Sequence, residues 1–243
     1  MWALWRARIQ DTCNGCHNDC CNFFRISSMD DLVLQALQKW PQVPAVRGWL
    51  KLDPRGRWLI RQPADAATAG VATPHRQARF APITNLQMIA FINRNYVVES
   101  RAPALIAPNP ATDPKPWQAY FQNGPQRVYV NYALGPYVWR LDTEPTTGTQ
   151  RLLAHTGQVG TSILACWLDA ARHVWIETEL GTGTLSDQDL ATWSAHLDCA
   201  APDWLEELLT ATGPLTELAG AAPIAWLFNQ QRYPVSLRLQ GGR

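Results

Sequence analysis

Residues 48–62, GWLKLDPRGRWLIRQ, carry the reading on which the fold turns. Trp49, Leu50 and Leu52 form one apolar run, and Trp58 and Ile60 share a face of the next. Between them stands Asp53-Pro54-Arg55-Gly56. Proline there sets the first bend and glycine takes the positive-φ position, so the stretch predicts a β-hairpin. Residues 166–179, CWLDAARHVWIETE, repeat it: Trp167, Leu168 and Asp169 stand against Trp49, Leu52 and Asp53, and Trp175 against Trp58.

The likeness extends outward in order. Thr84-x-x-Gln87 predicts the cap of a helix over NLQMIAFINRNY, with Ile83 and Met88 as its hydrophobic staple. Ser186-x-x-Asp189, Leu185 and Leu190 repeat both features, and Trp193 falls where Phe91 stands. QAYFQNG and QRVYVNY, joined at Asn123-Gly124, predict a second hairpin. WLFNQQRYPVSLRL echoes it, with Asn229 and Arg232 set roughly against Asn123 and Arg127. Hairpin, capped helix and hairpin recurring in this order predict an α+β fold. Its expected form is a tandem duplication of a ββαββ unit, with mostly antiparallel sheets and packed helices whose apolar faces cover one another. The expected units are residues 29–145, closed by YVWRLD, and residues 146–243.

A leading helix, LVLQALQKW, follows the capping pattern Ser28-x-x-Asp31 and sets Leu32, Ala36 and Trp40 on one face, with Val33 and Leu37 beside it. The second unit carries an inserted helix, PDWLEELLTA, with Leu205, Leu208 and Leu209 as its apolar stripe. PADAATAGVATPHRQARF and RAPALIAPNPATDPKPW predict surface loops.

The chain has 243 residues, 47% of them hydrophobic and 17% charged, with a net charge of +1. Its arginines are scattered, which argues against a nucleic-acid partner, since that needs a concentrated basic face. No run approaches the ~20 apolar residues of a membrane helix, so no membrane partner is expected. The opening MWALWRARIQDTCNG lacks the apolar core of a secretory signal. A cytoplasmic location is the expectation, and the oligomeric state is open.

Residues 11–21, DTCNGCHNDCC, resemble a cofactor site. Cys13-x-x-Cys16-His17 has the spacing of c-type haem attachment, and Cys13 and Cys16 with two of His17, Cys20 and Cys21 could ligate zinc. Covalent haem implies export and a further axial ligand. Structural zinc usually joins two separated ligand pairs. Residues 1–28 show neither strand nor helix periodicity, and Met29 stands where a chain would begin. They are read as a disordered or spurious extension, with no cofactor expected and a zinc or haem site as the alternative.

Five histidines stand at 17, 75, 155, 173 and 196, and no His-Glu-x-x-His, phosphate-loop glycine pattern or nucleophile elbow appears. The glycines of GTGTLSDQD precede a helix start, but Asp187 and Asp189 would repel an anion there. Cys166 and Cys199 sit in apolar surroundings, as small buried hydrophobes do. One constellation is sharper. Asn93, Arg94, Asn95 and Tyr96 end the first unit's helix, and Asn123, Gln126, Arg127 and Tyr129 belong to the hairpin after it. If helix end and hairpin meet, these residues would line a polar concavity suited to a carboxylate or peptide end. The competing reading gives Asn95 to a helix cap, Asn123-Gly124 to a turn and Arg127 to a cross-strand pair. The abundant Trp and Tyr favour a non-enzymatic protein that binds a small ligand or a protein partner. An enzyme acting through Asp53, Asp169 or Cys166 is the rival.

The segments MDDLVLQALQKWP, GWLKLDPRGRW, FINRNY and FQNGPQRVYV resemble an uncharacterised bacterial domain-of-unknown-function family over residues 29–240. The arrangement is more distantly similar to another such family, built of repeated α+β motifs, for which a signalling role has been suggested. Neither resemblance implies an activity or catalytic residues. The chain departs from the first family's pattern in residues 1–28 and in the longer insert ESRAPALIAPNPATDPKP. Full-length protein should show no haem absorption band and no stoichiometric zinc by elemental analysis. Protein expressed from Met29 should melt at the same temperature, and a lowered melting point would give the cysteine cluster a structural role.

Overall fold

The computed structural model describes residues 29–62, 78–100, 116–210 and 222–238. The cysteine cluster, Ser28, His75 and most of both expected surface loops lie outside the described residues.

After helix α1 (Asp31–Lys39) come β1 (Val46–Leu52), β2 (Trp58–Arg61), β3 (Phe80–Pro82), helix α2 (Leu86–Arg94), β4 (Tyr96–Ser100), β5 (Trp117–Asn123) and β6 (Gln126–Tyr132). These strands form a sheet of order β3-β2-β1-β6-β5-β4, in which only β1 and β6 run parallel. Next come β7 (Tyr137–Thr143), β8 (Gln150–Ala154), β9 (Val159–Gly160), β10 (Ile163–Asp169), β11 (Val174–Thr178) and β12 (Gly181–Leu185). A 3-10 turn over Asp187–Asp189 leads into α3 (Leu190–Ser194), then β13 (Leu197–Cys199), α4 (Pro202–Thr210), β14 (Ile224–Phe228) and β15 (Gln231–Arg238). The second sheet has the order β13-β14-β15-β10-β11-β12-β7-β8-β9. Six of its strands, β12-β11-β10-β15-β14-β13, follow the order of the first sheet, again with the central pair, β10 and β15, parallel. The fold is sheet-dominated with few helices. Each helical crossing is flanked by three strands on either side where two were expected.

The hairpin turns are built alike. Asp53 Oδ1 accepts the N–H groups of Arg55 and Arg57, and Asp169 Oδ1 accepts those of Ala171 and His173. The second carboxylate oxygen takes the side chain four residues on, Arg57 in one turn and His173 in the other. The positive-φ place is filled by Gly56 (φ 78°) and by Arg172 (φ 63°). Strand registers set Leu50 against Cys166 and Ile60 against Ile176. They also shift two expected correspondences. Trp167 occupies the place of Lys51 and Trp175 that of Leu59, so these tryptophans point to the opposite face and stack on each other at 5.9 Å.

Several local expectations are corrected. Asn85, not Thr84, caps α2, accepting the Met88 N–H. The helix ends at Arg94, because the Asn95 N–H bonds back to Phe91 and Ile92 and the chain extends at Tyr96. In α1 Val33 is buried while Leu32 and Trp40 are exposed, and in α4 Trp204, Leu205 and Leu208 face the core while Leu209 does not. YVWRLD, read as the close of the first half, is β7 and pairs in parallel with β12 of the second sheet. Gly183 permits that approach: a Cβ there would lie 2.5 Å from the Tyr137 carbonyl oxygen.

One core joins both sheets. At their junction the His155 ring lies between Trp58, Tyr96 and Tyr137, with centroids 5.1, 5.3 and 5.9 Å away. The Tyr96 hydroxyl donates to the Pro136 carbonyl at 2.6 Å, and the Asn93 amide bridges the Trp58 indole and the His155 carbonyl. The Val138 N–H donates to His155 Nδ1, so Nε2 carries the proton, and it finds no partner among the described residues. Burial pushes this imidazole down to about 3. In the unfolded chain it titrates near ~6.5, so between those values only the unfolded state takes up the proton. Stability should therefore be complete above about pH 6.5 and decline as pH falls, by up to about 1.4 kcal/mol per pH unit. Urea unfolding between pH 7 and 5, above the carboxylate range, should show this slope, and His155→Gln should remove it.

Candidate functional site

The eight residues singled out in the sequence fall into three environments. Asn93, Arg94, Asn95 and Tyr96 form a bonded network at the end of α2. Asn95, fully buried, accepts the Asp30 N–H and donates to Asp30 Oδ2 and the Phe91 carbonyl. Arg94 pairs with Asp30, and this guanidinium and then the Asn95 amide hold the Asp30 carboxyl below its ordinary range. Asn93 and Tyr96 tie the helix end to the sheet junction. Every side chain in this group already has partners within the fold.

Arg127 and Tyr129 lie on the opposite face of β6 from Gln126 and Val128, as strand alternation requires. The Arg127 guanidinium stands 4.7 Å from the Tyr120 ring centroid, and that of Arg47 3.6 Å from Tyr129. Tyr120 donates to Glu99, and burial pushes its phenol well up. The expected union of Arg127 with the α2 amides in one concavity is not among these contacts.

Asn123 and Gln126 open on a different feature. They sit at one end of a groove of about 310 Å³ floored by Leu50, Ile92 and Phe121. Its rim is apolar and in water: Trp49 is 49% exposed, Met88 46% and Ile60 37%. Gln126 Nε2 donates to the Pro44 carbonyl, while the Asn123 side chain makes no hydrogen bond among the described residues. Among the described residues no charged one lines the groove. It therefore suits apolar groups joined to uncharged polar ones, and offers nothing to hold a carboxylate. The sequence pointed at its two amides and missed the apolar rim. Gly48 (φ 76°) shifts the register between Val46 and Leu50, so Trp49 leaves the alternation that strand periodicity would assign it.

The residues of the rival enzymatic reading are apart. Asp53 and Asp169 anchor the turns of different sheets. Burial raises Asp169, but bonds from the Trp175 indole and His173 outweigh it and hold the carboxyl low. Cys166 is buried, which pushes its thiol up to about 12, far from a reactive thiolate. Asp187 pairs with Arg55, and Asp189 with Arg140, so both acids beside the GTGTL glycines are taken. His196 Nδ1 meets the Thr192 carbonyl, capping α3 much as Asn95 caps α2. Among the described residues no three His, Cys, Asp or Glu group to hold a metal ion, and no helix is long and apolar enough to cross a membrane.

The two asparagine classes separate by stability. Asn95→Ala leaves the Asp30 N–H without its acceptor and takes one donor each from Asp30 Oδ2 and the Phe91 carbonyl, and should cost about 3 kcal/mol in urea unfolding. Asn123→Ala should cost under about 0.5 kcal/mol. Equal losses would place Asn123 in the structural network.

Among curated proteins none matches this chain. A solved structure of a DUF1285 family protein from Silicibacter pomeroyi DSS-3 is similar at 10% identity and a TM-score of 0.40, covering 85% of this chain and 95% of that one. The pattern of the DUF2944 family, described as "Protein of unknown function (DUF2946)", matches residues 29–234. On that match, which takes in both sheets, the chain belongs to this family of unknown function.

Proposed function

We propose that the chain is a non-enzymatic binding protein of the cytoplasm whose site is the open groove of the first sheet. One observation carries this: Trp49, Ile60 and Met88 stay in water around a concavity large enough for a small ligand or a few side chains. Full burial of such a side chain is worth roughly 1.5–3 kcal/mol, and each of these three, left half-exposed, forgoes about half of that, which an occupant can recover.

We also infer that residues 29–145 and 146–243 are copies of one unit in tandem. The shared strand order, the parallel central pair and the matched Asp53 and Asp169 turns support this. In this reading the second copy has gained β8, β9 and α4, and β7, at the end of the first copy, joins the second sheet.

Nile red, an uncharged dye that brightens in apolar surroundings, tests the groove. Its fluorescence should saturate with the wild-type protein. Met88→Asp should weaken binding at least about tenfold, because a carboxylate would be desolvated at the rim. Circular dichroism should confirm that this variant stays folded. Dye binding untouched by Met88→Asp would remove the groove as the site.

A further inference from the structure

The second sheet shows what covers the corresponding surface there. Past the end of β12, β7 continues along the start of α3: Arg140 Nε bonds Asp189 Oδ2 at 2.6 Å and the Leu141 N–H bonds the same oxygen. β8 returns to the β14–β15 hairpin tip, where Asn229 brackets the main chain of Gln150. Its Oδ1 accepts the Gln150 N–H at 2.9 Å and its Nδ2 donates to the Gln150 carbonyl at 2.8 Å. Thus an extended segment spans from helix start to hairpin tip, with Trp139 and Leu152 fully buried beneath it.

The first sheet has the same span and no cover on it among the described residues. Strand registers place Phe121 where the second sheet has Trp226, Val128 where it has Tyr233, and Asn123 where it has Phe228. Smaller side chains there leave the groove as open room. Asn123 stands at the hairpin tip, one place before the residue corresponding to Asn229, with its amide facing the groove.

Resting on the binding reading above, we propose that the occupant is an extended peptide segment of a protein partner. It places large apolar side chains from alternate positions in the groove, and its backbone is bracketed by Asn123. The asparagine amide offers an N–H donor beside a carbonyl acceptor, which matches the acceptor and donor of a peptide backbone, and the uncharged lining gives a fatty acid or phosphate head no counter-charge. The segment docks reversibly. Ala81 and Pro82 stand on β3 where β12 has Gly183 and Thr184. A Cβ at the first place refuses the close approach that β7 makes, and proline at the second lacks the ladder donor, so the visitor cannot fuse to the sheet as β7 does.

The probe is a fluorescein-labelled synthetic peptide of residues 137–154, YVWRLDTEPTTGTQRLLA, titrated against the full chain by fluorescence anisotropy. Saturable binding is expected, weakened about tenfold by Asn123→Ala and by Met88→Asp. It should be unchanged by Leu164→Asp, at an exposed residue on the other sheet. A peptide with aspartate in place of Trp139 and Leu141 should not bind. Absent peptide binding while Nile red still saturates would overturn the peptide class and leave the groove standing. Binding indifferent to both groove variants, or a decanoate that displaces Nile red more tightly than the peptide does, would overturn it equally.

Discussion

The two sheets depend on an uncharged imidazole ring fitted among aromatic ones. His155 fills the space that Trp58, Tyr96 and Tyr137 leave, and its backbone reaches both neighbours: its N–H goes to the Val138 carbonyl and its carbonyl takes the Asn93 amide. The β1–β2 turn must pass close by. A Cβ on Gly56 would lie 2.8 Å from the His155 Cβ, so glycine there serves the positive φ and the junction at once. The Tyr96 hydroxyl, deep inside, is bonded to the Pro136 carbonyl at the start of β7. These contacts fix where the second sheet begins relative to the first, and so decide which parts of each inner face are covered.

From that constraint the unequal fate of the two inner faces follows. β7 leaves the junction and pairs with β12 over glycine, and β8 reaches the far hairpin, closing the second sheet's inner face. Among the described residues the first sheet has its own inner face covered at the junction end only, and the far end stays open. Larger aromatics at Trp193, Trp226 and Tyr233 thicken the closed side, and Trp226 lies 4.8 Å from Phe228. The same strand order thus supports a dense core in one sheet and a groove in the other.

The turns and hairpins were legible in the sequence because their chemistry is local: Asp53 and Asp169 make the same bonds whatever surrounds them, and the expected hairpin at Asn123-Gly124 turns one place later, at Gly124-Pro125, a two-residue turn like Asn229-Gln230. What depends on distant partners was not legible. β3 and β4 are short and lack periodicity of their own, so nothing in the sequence separates them from the neighbouring loop and helix end. The two tryptophans of CWLDAARHVWIETE match Trp49 and Trp58 by residue type, but pairing register decides facing and sets them on the face opposite Cys166, Leu168 and Ile176, where Trp167 is buried against Trp175. His155 follows an apolar run with nothing nearby to mark it as a junction residue, since the rings around it come from residues 58, 96 and 137.

The polar residues of the presumed site show why residue type alone misleads about binding. Asn93, Asn95 and Asn123 carry the same amide, yet an amide recognises a ligand only with bonding capacity left over. Asn93 gives its oxygen to the Trp58 indole and its nitrogen to the His155 carbonyl. Asn95 uses both ends on Asp30 and Phe91 with no water contact. Breaking either set to engage a visitor would leave a buried group unpaired, at about 1–3 kcal/mol, more than one new hydrogen bond returns. Asn123 is exposed at the groove's end and carries no such debt. In the proposed binding, recognition therefore falls to the asparagine with the least structural work, and the apolar rim beside it supplies the affinity that one amide could not.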